Sequence, residues 1–132
     1  MIVVDTNVIT YLWVPGAQTP VAEQLLGVDA DWAAPPLWRS EFRSVLAVAL
    51  KRKTLNLERA VQLARGAEDQ FKEREFPVDA AHVLMLAATS GCSTYDCEFV
   101  ALARDLGVPL VTNDREVLKA FPAVAVPLDR YS

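Results

Sequence analysis

The sequence predicts an α/β protein built on a parallel sheet, and three observations carry that prediction. The chain opens on an apolar run, Met1-Ile2-Val3-Val4, that stops abruptly at Asp5-Thr6-Asn7. Continuous hydrophobicity, unlike an alternating pattern, suits a strand covered on both faces. The same pattern returns at Leu110-Val111-Thr112, again followed by polar residues, Asn113-Asp114. Between and beyond these runs, short extended segments alternate with amphipathic stretches, which implies right-handed crossovers between parallel strands. In such sheets ligands gather at the carboxyl ends of strands, where Asp5 and Asp114 would both stand.

Taken in order, Thr6 is expected to cap a short helix running through Trp13 and broken by Pro15-Gly16. A second helix is expected from Thr19 to Leu26, then a short strand from Asp31 to Ala34 stopped by Pro35-Pro36. Asp29 and Asp31 read as turn acids. The next helix, Leu37 to about Arg52, is expected to carry Leu37, Glu41, Val45 and Val48 along its apolar side, with Arg39 and Arg43 on a solvated face. Asn56 to about Arg74 reads as another amphipathic helix, its apolar line formed by Leu57, Ala60, Val61, Ala64 and Ala67. Phe76-Pro77-Val78 reads as an edge strand, because proline cannot donate to a ladder on both sides.

Asp79 then caps a helix from Ala80 to Ser90, which Gly91 ends. Thr94 is expected to cap the following helix. On it Asp96 shares a face with Phe99, Val100 and Ala103, while Glu98 and Asp105 project opposite. After the strand at Leu110 to Thr112, a short helix from Arg115 to Phe121 and a last strand from Ala123 to Val126 complete the chain.

A length of 132 residues fits one domain spanning residues 1–132, large enough to bury a core without disulfides or a structural metal. With 52% hydrophobic and 23% charged residues the chain falls outside the disordered class. No apolar run approaches a membrane span, and the opening residues lack the pattern of a secretory signal, so a soluble, cytoplasmic protein is expected. Cys92 and Cys97 form neither a C-x-x-C pair nor a disulfide framework and read as reduced packing residues. His82 has no second ligand at helical spacing and reads as a core-edge residue. Trp13, Trp32 and Trp38 fit either core packing or a partner surface. Thirteen Lys and Arg against seventeen Asp and Glu, a formal charge of −4, argue against a broad basic footprint for nucleic acid. A nuclease is still compatible with that balance, because a carboxylate site contributes negative charge that bound cations reverse locally.

Two strand ends carry Asp5 and Asp114, and two helices carry Glu41 and Asp96 on apolar faces. An acid in an apolar stripe is costly unless something pairs with it. Four ionised carboxylates gathered in a partly dry pocket must take up protons or bind cations. All-oxygen ligation favours Mg²⁺ or Mn²⁺ over Zn²⁺. Such ions activate water and neutralise phosphate oxygens, the requirements for cutting a phosphodiester.

Asp5-Thr6-Asn7, Ser40-Glu41 followed by Val45-Leu46, Thr94-Tyr95-Asp96-Cys97 leading into Val100-Ala101-Leu102-Ala103, and Leu110-Val111-Thr112-Asn113-Asp114 together resemble a PIN domain. More narrowly, the chain resembles the VapC toxins of bacterial and archaeal toxin-antitoxin pairs, over essentially its whole length. The resemblance implies a three-layer α/β/α fold whose parallel sheet has five strands in the order 3-2-1-4-5. It also implies a Mg²⁺- or Mn²⁺-dependent endoribonuclease that acts on RNA, forms a homodimer and is silenced by a cognate VapB-type antitoxin. Asp5, Glu41, Asp96 and Asp114 would form the acidic metal-binding cluster, directly or through water, with Asn7 and Thr112 as supporting hydrogen-bond groups. Arg115 is a candidate phosphate contact, and the stretch Arg115-Glu116-Val117 departs from related toxins, which often carry another acid or an aromatic there, leaving open whether Glu116 joins the site.

Competing readings make different demands on the residues. A phosphoacceptor receiver needs a paired acid early and a lysine after a late strand, and Pro109 to Arg115 contains no lysine. A dehalogenase-type phosphatase needs Asp-x-Asp at the first strand, where Asn7 takes the second place. The remaining rivals are a PIN-like module that binds RNA or protein without cutting, and a solitary RNA-processing nuclease.

Overall fold

The computed structural model describes residues 1–131. In chain order they form β1 (Ile2–Val4), α1 (Thr6–Trp13), α2 (Thr19–Val28), β2 (Trp32–Ala33), α3 (Leu37–Lys51), α4 (Leu57–Gln70), α5 (Ala80–Ser90), α6 (Thr94–Leu106), β3 (Leu110–Thr112), α7 (Arg115–Ala120) and β4 (Ala125–Pro127), closing on a 3-10 turn at Leu128–Arg130.

The strands are all parallel, in the order β2-β1-β3-β4. The sheet thus has four strands where five were expected, and the strand not formed is the one anticipated at Phe76 to Val78. It survives as a single parallel bridge between Ala34 and Glu75 on the outer side of β2. The Ala34 N–H donates to the Arg74 carbonyl at 3.1 Å, and the Phe76 N–H to the Ala34 carbonyl at 3.2 Å. The ladder stops there because Pro35, Pro36 and Pro77 follow on its two sides, and proline has no N–H to donate. The bridge lies where the third strand of a 3-2-1-4-5 order would lie.

Successive strand side chains point to opposite faces, and Ile2, Val3 and Val4 are all 0% exposed, so helices cover β1 on both sides. Val3 lies opposite Ala33 on one side and Leu110 on the other. The chain leaves β1 for β2 in one direction and returns to β3 in the other, so the strand order reverses between β1 and β3. That reversal opens a crevice at their carboxyl ends.

Several helices begin or pack differently from the sequence expectation. Asp5, not Thr6, caps α1, its Oδ1 accepting from the Val8 N–H at 3.0 Å while its own backbone is still extended. Ser93, not Thr94, caps α6. On α3 the buried residues are Trp38, Phe42 and Leu46, and Val48 is 45% exposed. The two aromatic rings set the helix phase, Trp38 packing on Phe71 at 4.9 Å and on Phe42 at 6.0 Å between centroids, because they bury more area than the aliphatic line beside them. Arg39 and Arg43, expected in solvent, are tied to Glu75 and Glu68. On α4 the core takes Ala60, Leu63 and Ala67, whereas Leu57 and Val61 stay exposed.

Trp32 and Trp38 are core residues. The Trp13 ring lies across Gly66, where an added Cβ would stand 2.6 Å from it, and its Nε1 donates to Gln70 at 2.7 Å. Cys92 and Cys97 are free and buried, and His82 Nδ1 lies 3.1 Å from Asp105. Among the described residues no helix is long and apolar enough to cross a membrane.

Candidate functional site

The crevice between β1 and β3 is organised by one hydroxyl. Thr112, wholly buried at the end of β3, donates its Oγ1 proton to Asp5 Oδ2 and accepts from the Asp114 N–H at 3.0 Å. Asp5 therefore has a donor on each carboxylate oxygen, Thr112 on one and the α1 backbone on the other. Asp114 caps α7, its Oδ1 accepting from the N–H groups of Glu116 at 2.9 Å and Val117 at 3.3 Å. Both strand-tip acids thus end a strand and start a helix with almost no loop between, so their backbones are held by two regular elements at once.

The helices bring the other two acids. Asp96 lies half-buried in the first turn of α6, and Glu41 lies half-buried on α3. Thr6, only 7% exposed, donates its hydroxyl to Glu41 Oε1 at 2.6 Å. Asn7, expected in a supporting role, is exposed on the first turn of α1, and the contact falls to its neighbour instead. Arg115 is exposed at the start of α7.

Burial pushes the Asp5 carboxyl up to about 6, against the hydrogen bonds from Thr112 and Val8 that favour its charged form; Asp114 and Asp96 push it further up. Asp96 is also raised, first by burial and then by Asp114, with Glu41 and Glu116 adding to the repulsion and Ser93 opposing it. Glu98 is raised by burial and by Glu41. Mutual repulsion therefore links Asp5, Asp114, Asp96 and Glu41, with Glu116 and Glu98 at the margins. Glu98, placed by helical phase on the side away from Asp96, still feels the Glu41 charge. Among the described residues no Lys, Arg or His forms an ion pair with Asp5, Glu41, Asp96 or Asp114.

The donor set is carboxylate and hydroxyl oxygen, the chemistry of hard divalent cations such as Mg²⁺ and Mn²⁺. Uncompensated negative charge also fits a cation. Among the described residues no three acids are already drawn into a closed ligand set, so a cation here would have to gather its carboxylates or complete its shell with water.

Fold and site define an α/β protein with a cluster of carboxylates at the switch point of a parallel sheet. A model of the PIN domain family matches residues 2–124, and the chain belongs to that family. Among curated proteins it is similar to Ribonuclease VapC3 of Pyrobaculum aerophilum, 27% identical over 129 residues that cover 96% of this chain and 98% of the relative. Among solved structures it resembles FitAcB from Neisseria gonorrhoeae, with a TM-score of 0.77 and 21% identity over 99% of this chain and 100% of the other. It also resembles FitAB bound to an IR36 DNA fragment, with a TM-score of 0.77 and 20% identity over 100% and 98%. These structural likenesses concern the fold.

Proposed function

We propose that this PIN-domain protein is a Mg²⁺- or Mn²⁺-dependent endoribonuclease acting as the toxin of a toxin-antitoxin pair. The observation that carries the reading is the grouping of Asp5, Asp96 and Asp114, in which Asp114 and Asp96 raise the charging cost of Asp5 and Asp114 raises that of Asp96, with no ion-paired cationic side chain among the described residues to relieve them. The VapC3 relative, a ribonuclease by name, supports the activity. The resemblance to the VapC toxins, silenced by VapB-type antitoxins, supports an antitoxin partner. Leu84 and Met85, 60% and 50% exposed on α5, supply an apolar face for such a partner or for a second copy in a homodimer.

In this reading Asp5 and Asp96 hold the principal cation and Glu41 completes its surroundings or accepts a proton. When bound, the ion lowers the pKa of water and neutralises phosphate oxygens. The rest belongs to the protein. Thr112 keeps Asp5 fixed and orients Asp114 through its amide, and Thr6 fixes Glu41. Asp114 spends Oδ1 on the α7 amides, which leaves Oδ2 to orient a water for in-line attack on phosphorus. With a net charge of −4 the protein would hold RNA locally, by the cation and a few basic side chains.

The test is RNA cleavage by purified protein freed of antitoxin. Cleavage is expected with Mn²⁺ or Mg²⁺, none in EDTA, and none from a folded Asp96→Ala variant. Tight Mn²⁺ binding with no cleavage across a broad RNA panel would instead establish a binding module.

A further inference from the structure

A cavity of about 420 Å³ opens beside the acids, lined by Ser90, Gly91, Cys92, Glu116, Lys119 and Ala120. Its size falls within the roughly 300–1,000 Å³ typical of small-molecule sites. Glu116 is the wall it shares with the acidic crevice. That residue's N–H is bound to Asp114 Oδ1 at 2.9 Å, and its carboxylate is close enough to raise Asp96. A substrate whose phosphate lies among the acids must therefore place its next unit toward this cavity or away from it.

The lining favours entry. Lys119 sits one turn beyond Glu116 on the same side of α7 and is exposed, and among the described residues it forms no ion pair. It is a cation within reach of a molecule that the neighbouring acids would otherwise repel. Gly91 adopts φ +75° where α5 ends, and a Cβ added there would meet nothing within 4 Å, so the peptide presents a flat, open surface. Cys92 and Ala120 add small apolar groups. The Ser90 hydroxyl, which accepts from the Cys92 N–H at 3.1 Å and lies 3.9 Å from Cys97 Sγ, can turn its proton from the weak sulfur partner to a ligand, and the Glu116 carboxylate can accept. An apolar floor, one donor, one acceptor and one cation form the set that a nucleoside with a flanking phosphate requires.

Resting on the nuclease reading above, we infer that this cavity seats the nucleotide next to the scissile phosphate. The base lies on Gly91, Cys92 and Ala120, its edge meets Ser90 and Glu116, and the following phosphate meets Lys119. The cavity then sets which base is accepted beside the cut.

The experiment compares the full-length protein with Ala120→Trp, which fills the cavity from an exposed position on α7, and Lys119→Ala. Each is assayed with Mn²⁺ on a single-stranded RNA pool randomised around the cut and on bis(p-nitrophenyl) phosphate, which has no neighbouring nucleotide. Binding of labelled RNA in EDTA is followed against salt. Ala120→Trp is expected to lower kcat/KM on RNA by roughly ten-fold, the order of one lost base contact, and to change the base preferred at the cut. Its turnover of the small diester should stay within two-fold. Lys119→Ala is expected to flatten the slope of log Kd against log salt by about 0.7, the value for one phosphate contact on a single strand. The inference is overturned if RNA cleavage and base preference survive both changes, or if RNA and small-diester turnover fall together. A parent protein that cleaves neither substrate overturns the nuclease reading and this inference with it, a result distinct from either.

Discussion

Arg39 and Glu41 stand two residues apart on α3 in opposite electrostatic circumstances. Arg39 forms a fork with Glu75, its Nε at 2.6 Å from Oε2 and its Nη2 at 2.9 Å from Oε1, and Trp38 Nε1 donates to the same carboxylate at 2.7 Å. Glu68 completes the network, reached by Arg39 at 3.1 Å and by Arg43 at 3.4 Å. Hydrogen bonding from Arg39 holds the Glu75 carboxyl below its ordinary range. Across the same helix Glu41 faces Asp96 and Glu98, receives one neutral hydroxyl, and meets no cationic side chain among the described residues. One region settles its charges internally and the other leaves them open to something from outside. The first arrangement holds a helix in place, and the second can act on a ligand.

The sharpest way to break this contrast is to remove one open charge. Asp5→Asn keeps the size of the side chain and an acceptor for Val8, yet RNA cleavage is expected to fall by roughly 10²- to 10⁴-fold, the range for a group that handles charge or protons at the reacting centre. Stability should move the other way in metal-free protein. Asp5 titrates near 3.8 when unfolded and at about 6 when folded, so the folded state binds more protons between those values. Its contribution to stability is therefore greatest at low pH and is lost as pH rises through about 6. In EDTA at pH 8, Asp5→Asn should be more stable than the parent by about 1–3 kcal/mol, with the difference gone below pH 4. Urea unfolding at the two pH values measures this; a variant less stable at pH 8 would mean that the Asp5 charge is already compensated.

The acids were legible in the sequence because each broke a local rule. Asp5 and Asp114 end apolar runs and Asp96 shares a helix face with Phe99, Val100 and Ala103, so period and polarity single these three out, whereas the apolar line that singles out Glu41 is not the buried face of α3. β1, α1 and α5 were legible for the same reason. What escaped depended on tertiary contact. The expected strand at Phe76 to Val78 shrank to a bridge because prolines met on both sides of it, a clash visible only once the two segments are paired. The phase of α3 was misjudged because Trp38 and Phe42 find Phe71, a residue on a different element. Thr6 looked like a helix cap. Its partner Glu41 lies 35 residues away, and no local pattern announces a hydroxyl bonded over that distance.

Thr6 offers the next largest effect, because it separates position from charge within the open region. Thr6→Val retains the shape and burial of the side chain but removes the donor to Glu41, so all four acids remain while one loses its orientation. Cleavage is expected to fall by about 10–100-fold, the range for a partner that orients a metal-ligating group, with weaker Mn²⁺ binding. Thr6→Ser, which restores the hydroxyl, should recover most of both. If valine and serine behave alike, the bond does not position Glu41 for the reaction.

The smallest expected effect on activity comes from the paired region, and there stability is the informative readout. Glu75→Ala leaves the Trp38 indole N–H without its acceptor and Arg39 with only Glu68. Arg39 and Glu75 are 35% and 19% exposed at the side chain, so water replaces part of the loss. A destabilisation of about 1–2 kcal/mol is expected, well below the cost of breaking a fully buried pair. Because this carboxylate is answered by its own protein, its removal should leave Mn²⁺ affinity and, below the lowered melting transition, RNA cleavage within two-fold of the parent. Calorimetric melting and metal titration of the same sample separate the two quantities. A loss of metal affinity equal to that of Thr6→Val would show that the two sides of α3 are coupled through the helix, and that the closed network also sets the position of Glu41.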